Sequence, residues 1–170
     1  MQNRMKTHQL TEDEINHLLD NSIVGRLATV SAAGIPYVIP VHFVYNAESK
    51  KIYIHGLIRG QKLDNIAANP NVCFEADLFE TFIMPPEDSP CDVNTQYQSV
   101  IITGTAKLLE DENEKADALN LIVEKYTPLL AGMPFGNAIK ATAVIEISAN
   151  EITGKYYKDE AAEKQEIVFE

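Results

Sequence analysis

The run Ile23-Val24-Gly25-Arg26-Leu27-Ala28-Thr29-Val30, the turn Ala32-Ala33-Gly34 and the run Tyr37-Val38-Ile39-Pro40-Val41-His42-Phe43-Val44-Tyr45 decide the fold. Two apolar, β-branched runs separated by a short Gly-containing turn form a hairpin, and hairpins build antiparallel sheets. In the second run Tyr37, Ile39, Val41, Phe43 and Tyr45 share one face, while Val38, Pro40, His42 and Val44 share the other, because side chains alternate along a strand. Pro40 has no N–H to donate to a ladder, which places this strand at a sheet edge, at a bulge or against a ligand.

Upstream, Thr11-Glu12-Asp13-Glu14 has the form of a capping box, in which hydroxyl and carboxylate satisfy each other's exposed backbone donors. A helix is expected from Glu12, with Ile15, Leu18 and Leu19 on its buried stripe and Asp20-Asn21-Ser22 as its stop. Downstream, a third strand is expected from Lys51 to His55, and after Gly60 a short helix that buries Leu63, Ile66 and Ala67 and ends at Asn69-Pro70. A fourth strand is expected from Asn71 to Leu78. Glu80 to Asn94, with Pro85, Pro86 and Pro90, reads as a long loop serving as a lid or interface arm. Tyr97 to Leu109 reads as a long strand with a bulge or close backbone approach at Gly104. Asp111 to Tyr126 forms a helix with Leu119, Ile122, Val123 and Tyr126 on one stripe, and Ala141 to Ser148 is the last strand. The sum is mainly β (α+β): an antiparallel, closed or half-closed sheet of about six strands with peripheral helices, rather than a parallel α/β fold. A single domain is expected over residues 1–158, followed by a charged tail at 159–170.

The chain has 170 residues, 45% hydrophobic composition and a formal charge of −11, with 14 basic residues scattered among 25 acidic ones. Phosphate backbones demand clustered Lys and Arg, so no nucleic-acid partner is expected. No apolar run is long enough to span a bilayer and residues 1–8 hold no apolar signal core, so the chain reads as cytoplasmic with no membrane partner. Cys73 and Cys91 have neither disulfide nor zinc spacing and read as free thiols, and no metal site is expected. There is no G-x-G-x-x-G, Walker pattern or nucleophile elbow.

Against this acidic background one anion site stands out. A strand ending Tyr53-Ile54-His55-Gly56 leads through Gly60 to the helix that opens with Gln61-Lys62. Unpaired N–H groups and the positive dipole end would converge there, and Lys62 adds a full charge. Arg26, by contrast, is expected to pair with a carboxylate.

The ordered fragments Gly25-Arg26-Leu27-Ala28-Thr29, Gly34-Ile35-Pro36-Tyr37-Val38-Ile39-Pro40, Ile54-His55-Gly56, Gly60-Gln61-Lys62, Asn69-Pro70-Asn71-Val72-Cys73-Phe74 and Tyr97-Gln98-Ser99-Val100 resemble the pyridoxamine 5′-phosphate oxidase-like flavin-binding split barrels. The resemblance is greatest to their nitroimidazole-resistance (Nim-type) branch and runs from about Leu10 to Tyr157. It implies a six-stranded antiparallel split β-barrel, a homodimer, and FMN held at the subunit interface. It assigns the FMN phosphate to Lys62, with Gln61 standing where the oxidases carry an Arg. It places Pro40, Val41, His42 and Phe43 beside the isoalloxazine ring, and His55 and Gly56 near the phosphate and ribityl chain. Ser99 would reach the flavin from the partner, and Tyr97 is also among the expected flavin-binding residues. The chain has no Trp, so the oxidases' substrate-binding Trp has no counterpart and vitamin B6 oxidation is not expected. A His near the flavin is implicated in substrate handling in the Nim-type branch, which makes His55, ahead of His42, the candidate catalytic residue.

The resulting expectation is a flavin-dependent oxidoreductase acting on nitroaromatic or related small electrophiles, with NAD(P)H as a possible reductant. Two other classes stay open: a flavin-binding or sensing module without turnover, and a haem-binding split barrel with His42 or His55 as ligand.

Overall fold

The computed structural model describes residues 7–84 and 89–158; the expected tail and the Pro85-Pro86 pair lie outside them. Seven strands are present among these residues: β1 (Gly25–Val30), β2 (Pro36–Val41), β3 (Val44–Asn46), β4 (Lys51–Leu57), β5 (Asn71–Ile83), β6 (Asn94–Leu108) and β7 (Thr142–Tyr157). The helices are α1 (Glu12–Asn21), α2 (Gln61–Ala68) and α3 (Glu112–Tyr126), with short 3-10 turns at Pro90–Asp92, Pro128–Leu130 and Gly136–Ala141. All strand pairs are antiparallel and form one sheet in the order β2-β1-β5-β6-β7-β4-β3.

The count is seven where the sequence pointed to six, because the run Tyr37–Tyr45 divides. Val41 pairs with Gly25, the first residue of β1, so β1 has no partner to offer beyond it. Three residues later Val44 pairs with Tyr53 on β4. β2 and β3 are the two ends of the sheet and are joined by His42 and Phe43 alone, so the sheet must curl until its ends approach. No ladder connects them, and the barrel stays split. The predicted alternation survives the break, with Phe43 and Tyr45 buried while Pro40 is exposed.

Inside the curl lie Leu27, Phe43, Ile52, Ile54, Phe74, Val100, Ile102, Ile145 and Ile147, all essentially without solvent exposure. The rings of Phe43 and Phe74 meet edge to face at 4.7 Å. α1 adds Ile15, Leu18 and Leu19 to this core, and α2 adds Leu63 and Ile66. The α1 capping box forms as predicted, with the Thr11 N–H donating to Glu14 Oε2 at 2.7 Å. A second, smaller core lies under α3, where Leu119 and Ile122 pack with Ile139 and Val144.

The long strands exceed their predicted bounds. Phe79–Ile83 continues β5 against Asn94–Tyr97, with a register shift between Phe79 and Thr81, so the irregular connection is shorter than Glu80–Asn94. β7 runs on past Ser148 to Tyr157 because its second half pairs with Tyr97–Thr103. The irregularity expected at Gly104 is there: a side chain at that position would lie 2.4 Å from the Ser148 carbonyl oxygen. No helix among the described residues is long and apolar enough to cross a membrane.

Candidate functional site

The passage expected to hold an anion carries two glycines and one lysine. Gly60, the N-cap of α2, sits at φ 144°, a conformation that L side chains rarely adopt, and offers no side chain to cap the helix. Its carbonyl accepts from the N–H groups of Leu63 at 2.9 Å and Asp64 at 3.3 Å. The N–H groups of Gln61 and Lys62 come too early in the helix to have an intrahelical acceptor. A side chain on Gly56 would lie 3.1 Å from Lys62 Nζ, so the bare β4 end is what lets the ammonium lie over it. α2 is pinned by its buried Asn65, whose Nδ2 donates to Thr29 Oγ1 on β1 at 2.9 Å.

His55 lies one residue before Gly56 and pairs with Val144 across β4 and β7. Burial, and then the positive fields of His42 and Lys62, hold its pKa below the ordinary histidine value of 6.5. The imidazole is therefore neutral at neutral pH. His42 sits in the β2–β3 break, its ring 4.9 Å from that of Tyr126 on α3.

Tyr126 organises the break. Its hydroxyl accepts from the Phe43 N–H at 2.9 Å and lies 2.8 Å from the carbonyl oxygens of Phe43 and Ile23, to either of which it can donate. Burial raises its pKa, so the proton stays on. Its neighbour Lys125 donates to the Leu19 carbonyl at 2.8 Å and holds Nζ 4.0 Å above the Phe43 ring. Burial brings the Lys125 pKa down to about 8. Between His42, His55 and α3 lies a cavity of about 350 Å³, walled chiefly by Leu119, Ile122, Phe135 and Ile139.

The structure brings His42, His55, Gly56, Gln61 and Lys62 to one region of the barrel. Pro40 and Val41 lie on the strand leading into it, Pro40 exposed and Val41 half-buried. Phe43 differs from its neighbours: its side chain is in the core and its backbone groups engage Tyr126. Tyr97 and Ser99 do not share the His55 cavity. Tyr97 lines a separate cleft of about 400 Å³ with His8, Tyr156 and Tyr157. The Ser99 hydroxyl is buried within the chain itself and has no hydrogen-bond partner among the described residues. Arg26 pairs with Glu75 at 2.9 Å and with Asp77. Both cysteines are free, and no cluster among the described residues is suited to a metal ion.

Sequence reasoning missed Lys125, the polar role of Tyr126, and the wall from Phe135 to Ile139. Tyr126 was visible only as part of an apolar stripe, and nothing in its neighbourhood names a partner 83 positions away.

The profile of a family described as pyridoxamine 5′-phosphate oxidase matches residues 11–156. A 5a,11a-dehydrotetracycline/5a,11a-dehydrooxytetracycline reductase from Streptomyces rimosus is 37% identical over 101 residues, 58% of this chain and 63% of the reductase, which is less than two thirds of that enzyme's length. Two solved structures share the fold. A candidate 5-nitroimidazole antibiotic resistance protein from Bacteroides thetaiotaomicron superposes with TM-score 0.73 at 23% identity, covering 87% of this chain and 86% of that one. An FAD and heme binding protein from Mycobacterium smegmatis superposes with TM-score 0.78 at 16% identity, covering 89% and 74%.

Proposed function

The chain belongs to the pyridoxamine 5′-phosphate oxidase family of flavin-binding split barrels, and from that premise we propose that it is an FMN-binding, homodimeric oxidoreductase of the Nim-type branch. Its proposed substrates are nitroaromatic or related small electrophiles, with NAD(P)H as reductant. The observation that carries the reading is the anion site at Gly56, Gly60 and Lys62. One lysine and one short helix start match one terminal phosphate, which favours FMN. The reductase relative and the nitroimidazole-resistance neighbour support reduction of a small electrophile by the same fold.

Bound flavin supplies hydride transfer when present; the chain supplies binding, orientation and hydrogen bonding. In this reading Lys62 and the Gln61 and Lys62 N–H groups hold the phosphate. The Pro40–His42 backbone lies along the ring. Phe43 acts by holding that segment, since its own N–H is taken by Tyr126. His55, kept neutral, is the candidate catalytic residue, able to donate to an oxygen that gains negative charge. Ser99, as the family resemblance implies, and Tyr97 would complete the site from a second copy of the chain.

The visible spectrum of the purified protein, before and after incubation with FMN, tests this. The expected result is a bound flavin that NADH or NADPH bleaches. Lys62→Ala is expected to weaken FMN by at least about tenfold, the usual scale for a charge-assisted contact, while riboflavin, which has no phosphate, binds as before. Failure to take up flavin sinks the reading, and a Soret band in its place identifies a haem protein.

A further inference from the structure

The hydroxyls that line the cavity beside His42 and His55 are already engaged. Tyr126 holds Phe43 and Ile23. The Thr142 hydroxyl donates to the Ala138 carbonyl at 2.9 Å, and that of Thr127 to the Val123 carbonyl at 3.5 Å. Among these side chains only the two imidazoles keep a free donor, for neither makes a hydrogen bond among the described residues. The remaining lining is aliphatic or aromatic and contains no Lys or Arg. An apolar chamber with a few convergent polar groups at one edge is the usual form of a small-molecule site.

We propose that this cavity is the substrate pocket, and that it takes a flat, uncharged compound of one or two rings whose ketone or nitro oxygen accepts a hydrogen bond from His42 or His55. A neutral imidazole carries one N–H donor, which matches a single acceptor oxygen, and the lowered pKa of His55 favours that form. A carboxylate in the same place would be desolvated without a cation in the lining to pair with it. Lys62, whose field reaches His55, lies outside the lining and belongs to the anion site. At about 350 Å³ the cavity is near the lower limit for ligand sites, which favours one or two rings over a four-ring skeleton of the tetracycline kind. The pocket rests on the flavin reading for turnover, though not for binding.

The test follows the His42 and His55 ring proton resonances of the full chain, flavin-free and FMN-loaded, during titration with 4-nitrobenzamide and with its anionic counterpart 4-nitrobenzoate. The amide is expected to shift both histidines in both forms, and the acid to bind at least about tenfold more weakly. Ala138→Trp, at an exposed position on the cavity wall, is expected to abolish these shifts and leave FMN affinity within about twofold. Unmoved histidines, or tighter binding of the acid, overturn the proposal. Loss of FMN uptake in Ala138→Trp also overturns it, because the cavity is then the flavin's own ring site. If the protein binds no flavin but the amide still shifts both histidines, the pocket stands and the flavin reading is what fails.

Discussion

Gly56 and Lys62 work as a pair in which the missing side chain matters as much as the present one. A methyl at position 56 would meet only the flexible end of Lys62, at 3.1 Å. Gly56→Ala is therefore expected to fold with little change in Tm while displacing the ammonium and weakening FMN, but not riboflavin, severalfold; equal losses for both flavins would refute a phosphate-specific role. His55 gives a pH signature. Its folded pKa lies below its unfolded value, so between the two the unfolded chain binds more protons, and stability falls as pH drops below about 6.5. His55→Gln is expected to flatten the slope of Tm against pH below neutrality, and an unchanged slope would assign it to other groups. Both residues were legible in the sequence because Gly56, Gly60 and Lys62 lie within one strand-to-helix passage. Phe43 stood beside the ring only by family resemblance, whereas the fold puts its side chain in the core and its N–H on Tyr126.

At the level of elements, α3 acts as a clamp on the β2–β3 break. Its last turn presents Lys125 and Tyr126 in succession, one over the Phe43 ring and the other on the Phe43 backbone. Tyr126→Phe removes the acceptor of a part-buried N–H and is expected to cost about 1–3 kcal/mol, with faster amide exchange at Phe43 as its local sign. Protection at Phe43 equal to wild type would contradict the clamp. Lys125 has no carboxylate partner among the described residues, and its folded pKa of about 8 lies below the ordinary 10.5. Between those values the unfolded chain binds more protons, so stability is expected to rise with pH across that window. Lys125→Met, which keeps an unbranched apolar stem, is expected to remove the rise in chemical-denaturation curves taken from pH 8 upward. Sequence periodicity found α3 and its stripe, but an apolar stripe says nothing about which residue beneath it needs a hydrogen bond. The same limit shortened β5 and β7: the outer half of β7 is largely polar and charged, β5 continues past Leu78 through a register shift, and both are strands because of their ladder partners.

For the whole molecule, the decisive feature is the exposed stretch of the long β5–β6 hairpin. Residues 77–80 of β5 are exposed in succession, and since side chains alternate, neither face is covered there by the described residues. Leu78, Phe79, Phe82 and Met84 are each more than 40% exposed, and the Phe79 and Phe82 rings pack on each other 5.2 Å apart. Such apolar side chains gathered on one projection mark a surface for association. Asn94 to Ser99 runs back along the same hairpin and includes Tyr97 and Ser99. A second copy placed there would bury the apolar hairpin and could bring Tyr97 and Ser99 to the other copy's flavin, which links oligomeric state to cofactor binding. Paired Phe79→Glu and Phe82→Glu substitutions are expected to yield monomers in sedimentation equilibrium and to lose FMN, as read by recovery of free-flavin fluorescence. Lys62→Ala should lose FMN yet remain dimeric. A monomeric wild-type protein that holds FMN would break the link, and so would a Phe79/Phe82 variant that becomes monomeric and keeps its flavin.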